Sequence, residues 1–187
     1  KIYATPFTAV LIQEKFKEKK IDITNYLKIV ELNSQIKLGP FEIDFVTLTH
    51  SILEPNGLSI TTPEGVILHT GDWKVDPNPL IGNKVDEKKL RSIGEKGVIA
   101  MVCDSTNVFS PGRAGSEKDV RESLLKIISN QKKRVLVTSF ASNVARMESI
   151  FYIAKQTKRN ISLVGRSMHR IYKAAKQCGY LKDVLEP

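Results

Sequence analysis

The sequence predicts an α/β fold in two textures, strand-rich to about residue 102 and alternating between helix and strand beyond it. Short apolar runs recur at 26–32, 41–49, 57–62, 66–70 and 97–103, with Asn56-Gly57 and Pro63-Glu64-Gly65 as turn signals between them. After Ser116, helical periods alternate with two more apolar runs, at 134–139 and 160–164. With 41% hydrophobic content over 187 residues, the chain can bury the core of one large domain or two small ones.

Taken in order, residues 6–19 read as a first amphipathic helix. Thr62-Pro-Glu-Gly65 reads as a tight hairpin, which brings the loops around His50 and Asp72 to the same end of adjoining strands. Ser116 followed by Glu117 and Asp119 has the form of a helix cap with acids in the first turn, and this helix should run to about Asn130. Arg134–Ser139 then reads as a buried strand, and 143–156, 160–164 and 166–178 as helix, strand and helix. That βαβα order implies a parallel sheet. There is no repeat, low-complexity segment or Pro/Gly linker; the seam between the two textures is expected near Cys103–Asn107.

Charge and cysteine usage narrow the class. Lys and Arg number 29 against 20 Asp and Glu, a formal +9, which favours an anionic partner such as nucleic acid. Much of that charge also fits solvated helix faces and helix ends, as in Glu14–Lys20 and Gln131–Arg134. Cys103 and Cys178 have no CxxC spacing and read as two buried thiols rather than a disulfide or zinc-thiolate site. No apolar run approaches the roughly 20 residues of a membrane span, and the beginning of the chain lacks the layout of a signal peptide. The expectation is a soluble, intracellular protein.

Four loops that follow apolar runs carry the candidate chemistry. His50 and Asp72 each end such a run, and imidazole with carboxylate suits zinc or manganese; taken alone, each reads better as a hydrogen-bonded structural histidine or a turn-forming aspartate. His69, inside its run, reads as a satisfied or supporting histidine. Asp104 to Asn107 offers a carboxylate, two hydroxyls and an amide for a phosphate or metal-bound water, or else forms an Asx turn. Ser139–Arg146 and Gly165–Met168 each place small polar residues and an Arg at a helix start, where free N–H groups favour an anion. Two such starts after parallel strands suggest a phosphate-binding edge. GxSxG, Walker, HExxH and helix-opening GxGxxG motifs are all absent. Metal-assisted phosphodiester hydrolysis is the chemistry that uses both edges.

The strings Tyr3-Ala-Thr-Pro-Phe-Thr-Ala9, Thr49-His-Ser-Ile52, Leu68-His-Thr-Gly-Asp-Trp-Lys74, Cys103-Asp-Ser-Thr-Asn107, Ser139-Phe-Ala-Ser-Asn143, Gly165-Arg-Ser-Met168 and Cys178-Gly-Tyr-Leu181 occur in an order and spacing that resemble ribonuclease J. This is a bacterial member of the β-CASP branch of the metallo-β-lactamase superfamily, and the details look most like alphaproteobacterial versions. The resemblance implies part of an αββα metallo-β-lactamase sandwich over residues 1–102, followed by part of a Rossmann-like β-CASP domain over 103–187. It implies a cytoplasmic enzyme that hydrolyses RNA phosphodiesters, as an endonuclease, a 5′-exonuclease or both, with two divalent metals, zinc or manganese. The implied partners are RNA, favouring a 5′ monophosphate, and further copies of the full-length enzyme.

By position, His50 matches a histidine metal ligand, Asp72 the carboxylate bridging the metals, and Asp104 the first acidic β-CASP motif near the reacting phosphate. Ser142, Asn143, Gly165, Arg166 and Ser167 match positions lining the RNA channel and the 5′-monophosphate pocket. The HxHxDH cluster and the later β-CASP histidine motifs have no counterpart, and His169 does not replace them. Leu53 stands where a Pro is common and Ala145 where many relatives have His. The expectation is an internal fragment with an incomplete metal site, inactive by itself. The alternatives are a catalytically dead basic RNA-binding or scaffold module, a β-CASP DNA nuclease, or a metallo-hydrolase of small substrates.

Overall fold

Residues 1–184 and 186–187 are described by a computed structural model. Ile2–Ala4 (β1) and Leu27–Ile29 (β2) pair in parallel, and Pro6–Glu18 (α1) forms the crossover between them. Pro6 suits the first helical position because its φ is already helical and no donor is lost there. Ala4, Ala9, Ile23 and Leu27 pack together beneath α1.

A five-stranded sheet follows, in the order Gln35–Leu38 (β3), Phe41–Thr47 (β4), Asn56–Thr62 (β5), Gly65–His69 (β6) and Val98–Val102 (β7). The first four strands form an antiparallel meander, and the Pro63-Glu64 turn closes the expected hairpin between β5 and β6. β7 lies parallel to β6, which requires a crossover. Glu87–Glu95 (α2) supplies it, capped by the Asp86 side chain on the Lys89 N–H, and buries Ile93 against Val46 and Val66 of the sheet.

Three helices complete the chain: Glu117–Ser129 (α3), Val144–Gln156 (α4) and Arg166–Gln177 (α5). Ser116 and Asp119 close the expected capping box at α3. The largest apolar cluster joins Phe7 of α1 and Leu53 to Val144, Met147 and Phe151 of α4 and Ile171, Tyr172 and Ala175 of α5. This core therefore draws on both textures of the sequence. The mixed α/β class is as the sequence predicts.

Two expectations are corrected. The runs 134–139 and 160–164 are extended but form no ladder among the described residues, so no parallel sheet joins α3, α4 and α5. An apolar run makes a strand only when a neighbour pairs with its backbone, and here Leu136 is 87% and Val164 85% exposed. The thiols are not both buried: Cys103 is exposed just past β7, the last strand of its sheet, and Cys178 is half-buried. Three elements escape the sequence reading: β1 and β3, each of three or four residues, and α2, whose apolar stripe amounts to Leu90 and Ile93.

Candidate active site

β4 and β6 are both antiparallel to β5, and β7 is parallel to β6, so β4, β6 and β7 run in the same direction. Side chains alternate along each strand, but the carboxyl ends of all three meet one rim of the sheet. That rim receives His50 after β4, Asp72 after β6 and Asp104 after β7. A single bridge between Thr49 and Lys74 draws the first two loops together, and the Thr70 hydroxyl group, within hydrogen-bond reach of the Asp104 N–H at 3.1 Å, ties the third to the second. The indole N–H of Trp73 adds a bond to the Asp104 carbonyl at 3.2 Å.

The Asp104 carboxylate accepts the hydroxyl of Thr106 at 2.5 Å and its N–H at 2.9 Å. Those two bonds, with smaller help from the charge of His50, hold the carboxyl below the usual range against a weak opposing effect of burial. The sequence leaves Asp104 open between a site residue and an Asx turn; the turn is formed, and its carboxylate is near enough to His50 for that charge to favour ionisation. His50 is half-buried with Nδ1 3.4 Å from the Ser51 hydroxyl, while Asp72 is exposed. His69 is also exposed, and its Nδ1 accepts the Gly71 N–H at 3.1 Å, a local turn contact. Gly71 has φ +60°, and a Cβ there would lie 3.1 Å from the Asn56 carbonyl oxygen, so the residue before Asp72 needs to be glycine. Among the described residues no cluster of three or more His, Cys, Asp or Glu side chains is placed to hold a metal ion. His50 and Asp72 are thus at most part of a donor set.

At α4, the three N–H groups expected to be free for an anion have protein partners. Val144 and Ala145 donate to the Ser51 carbonyl at 3.0 and 3.4 Å, and Arg146 donates to the Asn143 side chain at 2.8 Å. The Arg146 guanidinium makes a two-point pair with Glu117, 3.1 Å on each side. What remains for a ligand is the exposed Ser142 side chain and the unused donors of the Asn143 amide. At α5, Gly165 enters with φ 104° and offers no side-chain cap, and Arg166 and Ser167 are exposed. Ser139, Asn143 and Met168 border a groove of about 520 Å³ between the 135–139 and 161–164 segments. His50 faces a different hollow, of about 160 Å³, with Lys74, Asp76, Glu117 and Ala145. The rim therefore shares its hollow with the start of α4, through Ala145, and none of the residues lining that hollow belongs to the start of α5.

The sequence reading missed the polar core that joins them. Asp76 is 6% exposed; its N–H donates to the Thr49 hydroxyl, and its carboxylate accepts the N–H groups of Asn78 and Glu117. Burial raises its carboxyl, but the Ser116 hydroxyl, the Glu117 and Asn78 N–H groups and the Lys74 charge outweigh it and hold the group below its ordinary value. Glu54, also buried, accepts the Phe7 N–H at 2.8 Å and the Tyr180 hydroxyl at 3.3 Å. Asp76 before Pro77 was a visible signal of a fixed turn; nothing local marks Glu54, whose partners lie far away in sequence.

Residues 132–186 match the family model described as Ribonuclease J, beta-CASP domain. The whole chain is similar to curated relatives named Ribonuclease J. The one from Sinorhizobium meliloti is 42% identical over 98% of this chain and 32% of the relative. The one from Corynebacterium glutamicum is 42% identical over 97% and 25%, and that from Thermus thermophilus 35% identical over 97% and 32%. The chain therefore spans about a third or less of these relatives' length. A solved structure titled as a protein of unknown function from Enterococcus faecalis V583 superposes with a TM-score of 0.62 at 18% identity, covering 99% of this chain and 47% of the other. At that identity the likeness speaks for the fold alone.

Proposed function

From the premise that this chain resembles ribonuclease J along 98% of its length, we propose that it forms part of the catalytic region of a ribonuclease that hydrolyses RNA phosphodiesters. The observation that carries the reading is the delivery of His50, Asp72 and Asp104 to one rim by three strands running the same way. In this reading His50 and Asp72 are two ligands of a zinc or manganese pair completed by donors from a longer polypeptide. Such metals would supply a water-derived nucleophile and charge stabilisation at the phosphoryl oxygens. Asp104, held ionised by Thr106, acts as an orienting acceptor rather than an acid. Ser142, Asn143, Gly165, Arg166 and Ser167 contact the RNA and its 5′ monophosphate, and the +9 charge strengthens binding to any polyanion.

No membrane role enters the reading; among the described residues no helix is long and apolar enough to cross a membrane. The location proposed is the bacterial cytoplasm, with further copies of the longer enzyme as partners. A second reading, a basic RNA-binding module without catalysis, draws on the same charge and on the lack of a third donor among the described residues.

The experiment is metal content per chain by elemental mass spectrometry after exposure to zinc and manganese, with cleavage of 5′-monophosphorylated RNA and its DNA counterpart. The expected result for these 187 residues alone is little metal, slow or no cleavage and measurable RNA binding. About two metals per chain, lost in His50→Ala, would overturn the incomplete-site reading. Cleavage that survives a chelator would overturn the metal mechanism. Preferential cleavage of DNA would point to a DNA nuclease instead.

A further inference from the structure

The residue after the candidate ligand His50 is not held by the sheet that delivers it. The Ser51 carbonyl accepts two N–H groups from the first turn of α4 across more than ninety residues of chain, Ala145 at 3.4 Å and Val144 at 3.0 Å, the latter shared with the Ser142 carbonyl at 2.9 Å. Two residues on, Leu53 is 2% exposed in the cluster that contains Val144, Met147 and Phe151. Glu54, at φ +55°, is fixed by the Phe7 N–H and the Tyr180 hydroxyl. By contrast, among the described residues the one hydrogen-bond contact of the His50 ring is the adjacent Ser51 hydroxyl, at 3.4 Å. The backbone is therefore tied to the sheet on the amino side of the ring, through Thr49 and Lys74, and to the first turn of α4 on its carboxyl side, through Ser51.

We infer that the first turn of α4 positions His50, with Val144 as the positioning residue acting through its main-chain N–H. The same turn ends the Ser139–Asn143 segment, so displacement of that segment reaches the His50 ring through one carbonyl. A ligand that holds one end favours the matching arrangement at the other, and the coupling is reciprocal. This rests on the reading of His50 and Ser142–Asn143 as site residues, but its test does not.

Val144 occupies the first position of α4, where proline fits a helix while lacking an N–H. Val144→Pro removes the donor, and Val144→Ala removes side-chain packing but keeps it. The 187-residue chain has three histidines, so the Cε1–H region of its proton–carbon NMR spectrum contains three ring signals. The expected result is that Val144→Pro shifts or broadens the His50 signal while those of His69 and His169 stay in place, and that Val144→Ala leaves all three near their original positions. An unmoved His50 signal in a folded Val144→Pro chain overturns the inference, as does an equal shift in both variants. If Val144→Pro does not fold, Asn143→Ala, which loosens the same turn by removing its cap, is held to the same outcomes against Asn143→Asp, which keeps the acceptor. Adding inorganic phosphate to the unsubstituted chain separates the two readings. No response in the amides of Ser142 and Asn143 counts against the phosphate contacts alone. A response there that never reaches His50 overturns the coupling.

Discussion

The carboxylate of Asp76 accepts the main-chain N–H of Glu117 at 3.1 Å, joining the loop beside the sheet's rim to the first residue of α3. Forty-one residues separate the two in sequence, and the contact continues outward. Glu117 pairs with Arg146 on α4, and Asp76 itself donates to Thr49, the neighbour of His50. A carboxylate with little exposure sits at the centre because main-chain donors replace its water.

Replacing Asp76 with Ala leaves the Glu117 and Asn78 N–H groups without their acceptor in a closed site. We expect a loss of about 2–4 kcal/mol in urea unfolding. Asp76→Asn keeps one acceptor and should lose roughly half as much. A change within measurement error for both variants would show that the contact carries no net stability.

Asp76 also contributes an acid limb to the stability profile. Its folded carboxyl titrates below its ordinary value, so the unfolded chain binds the proton more readily. The contribution is complete above the unfolded value of about 4 and is lost as pH falls through the folded one. Urea midpoints measured downward from pH 6 should decline less steeply in Asp76→Asn than in the unsubstituted chain. Parallel curves would count against it.

At the other extreme, burial first, and then the nearby Glu54 charge, push the Tyr180 phenol up to about 12. The fold retains this proton where the unfolded chain has released it, so the contribution is present below the unfolded value near 10 and fades as pH rises toward the folded one. Burial and the bond to Glu186 also raise the Tyr172 phenol, so ultraviolet titration of the five tyrosines should show late ionisation, of which the Tyr180 part disappears in Tyr180→Phe. If all five ionise together in the folded chain, Tyr180 is not enclosed as described.

Gly71→Ala tests the turn before Asp72. A Cβ at φ +60° and 3.1 Å from a carbonyl oxygen should cost about 1–2 kcal/mol, read as a lower urea midpoint. Gly82→Ala is the comparison, since its φ is also positive but a Cβ there meets nothing within 4 Å. Equal losses would assign the cost to backbone conformation alone.

Legibility in the sequence followed the range of the forces involved. The hairpin around Pro63-Glu64 and the Ser116 cap are set by contacts within a few residues, and both could be read directly. The common rim for His50 and Asp72 followed from strand direction alone. The partners of Val144, Ala145 and Arg146 could not be read, because a helix start displays its N–H groups without showing which distant carbonyl or carboxylate will take them. The 134–139 and 160–164 runs failed for a related reason: apolar spacing makes a segment suitable for a sheet, but a strand also needs a partner for its backbone.

The sheet ends at β7, where Ile99, Met101 and Val102 are each more than half exposed. An edge of that kind is adhesive: its outward backbone groups can template another strand, and its apolar side chains reward the contact. The surplus of 29 basic over 20 acidic residues keeps neighbouring molecules apart at long range, but dissolved salt weakens that repulsion. The chain's colloidal behaviour is thus a contest between a sticky border and a like-charged surface, with ionic strength deciding which prevails as concentration rises.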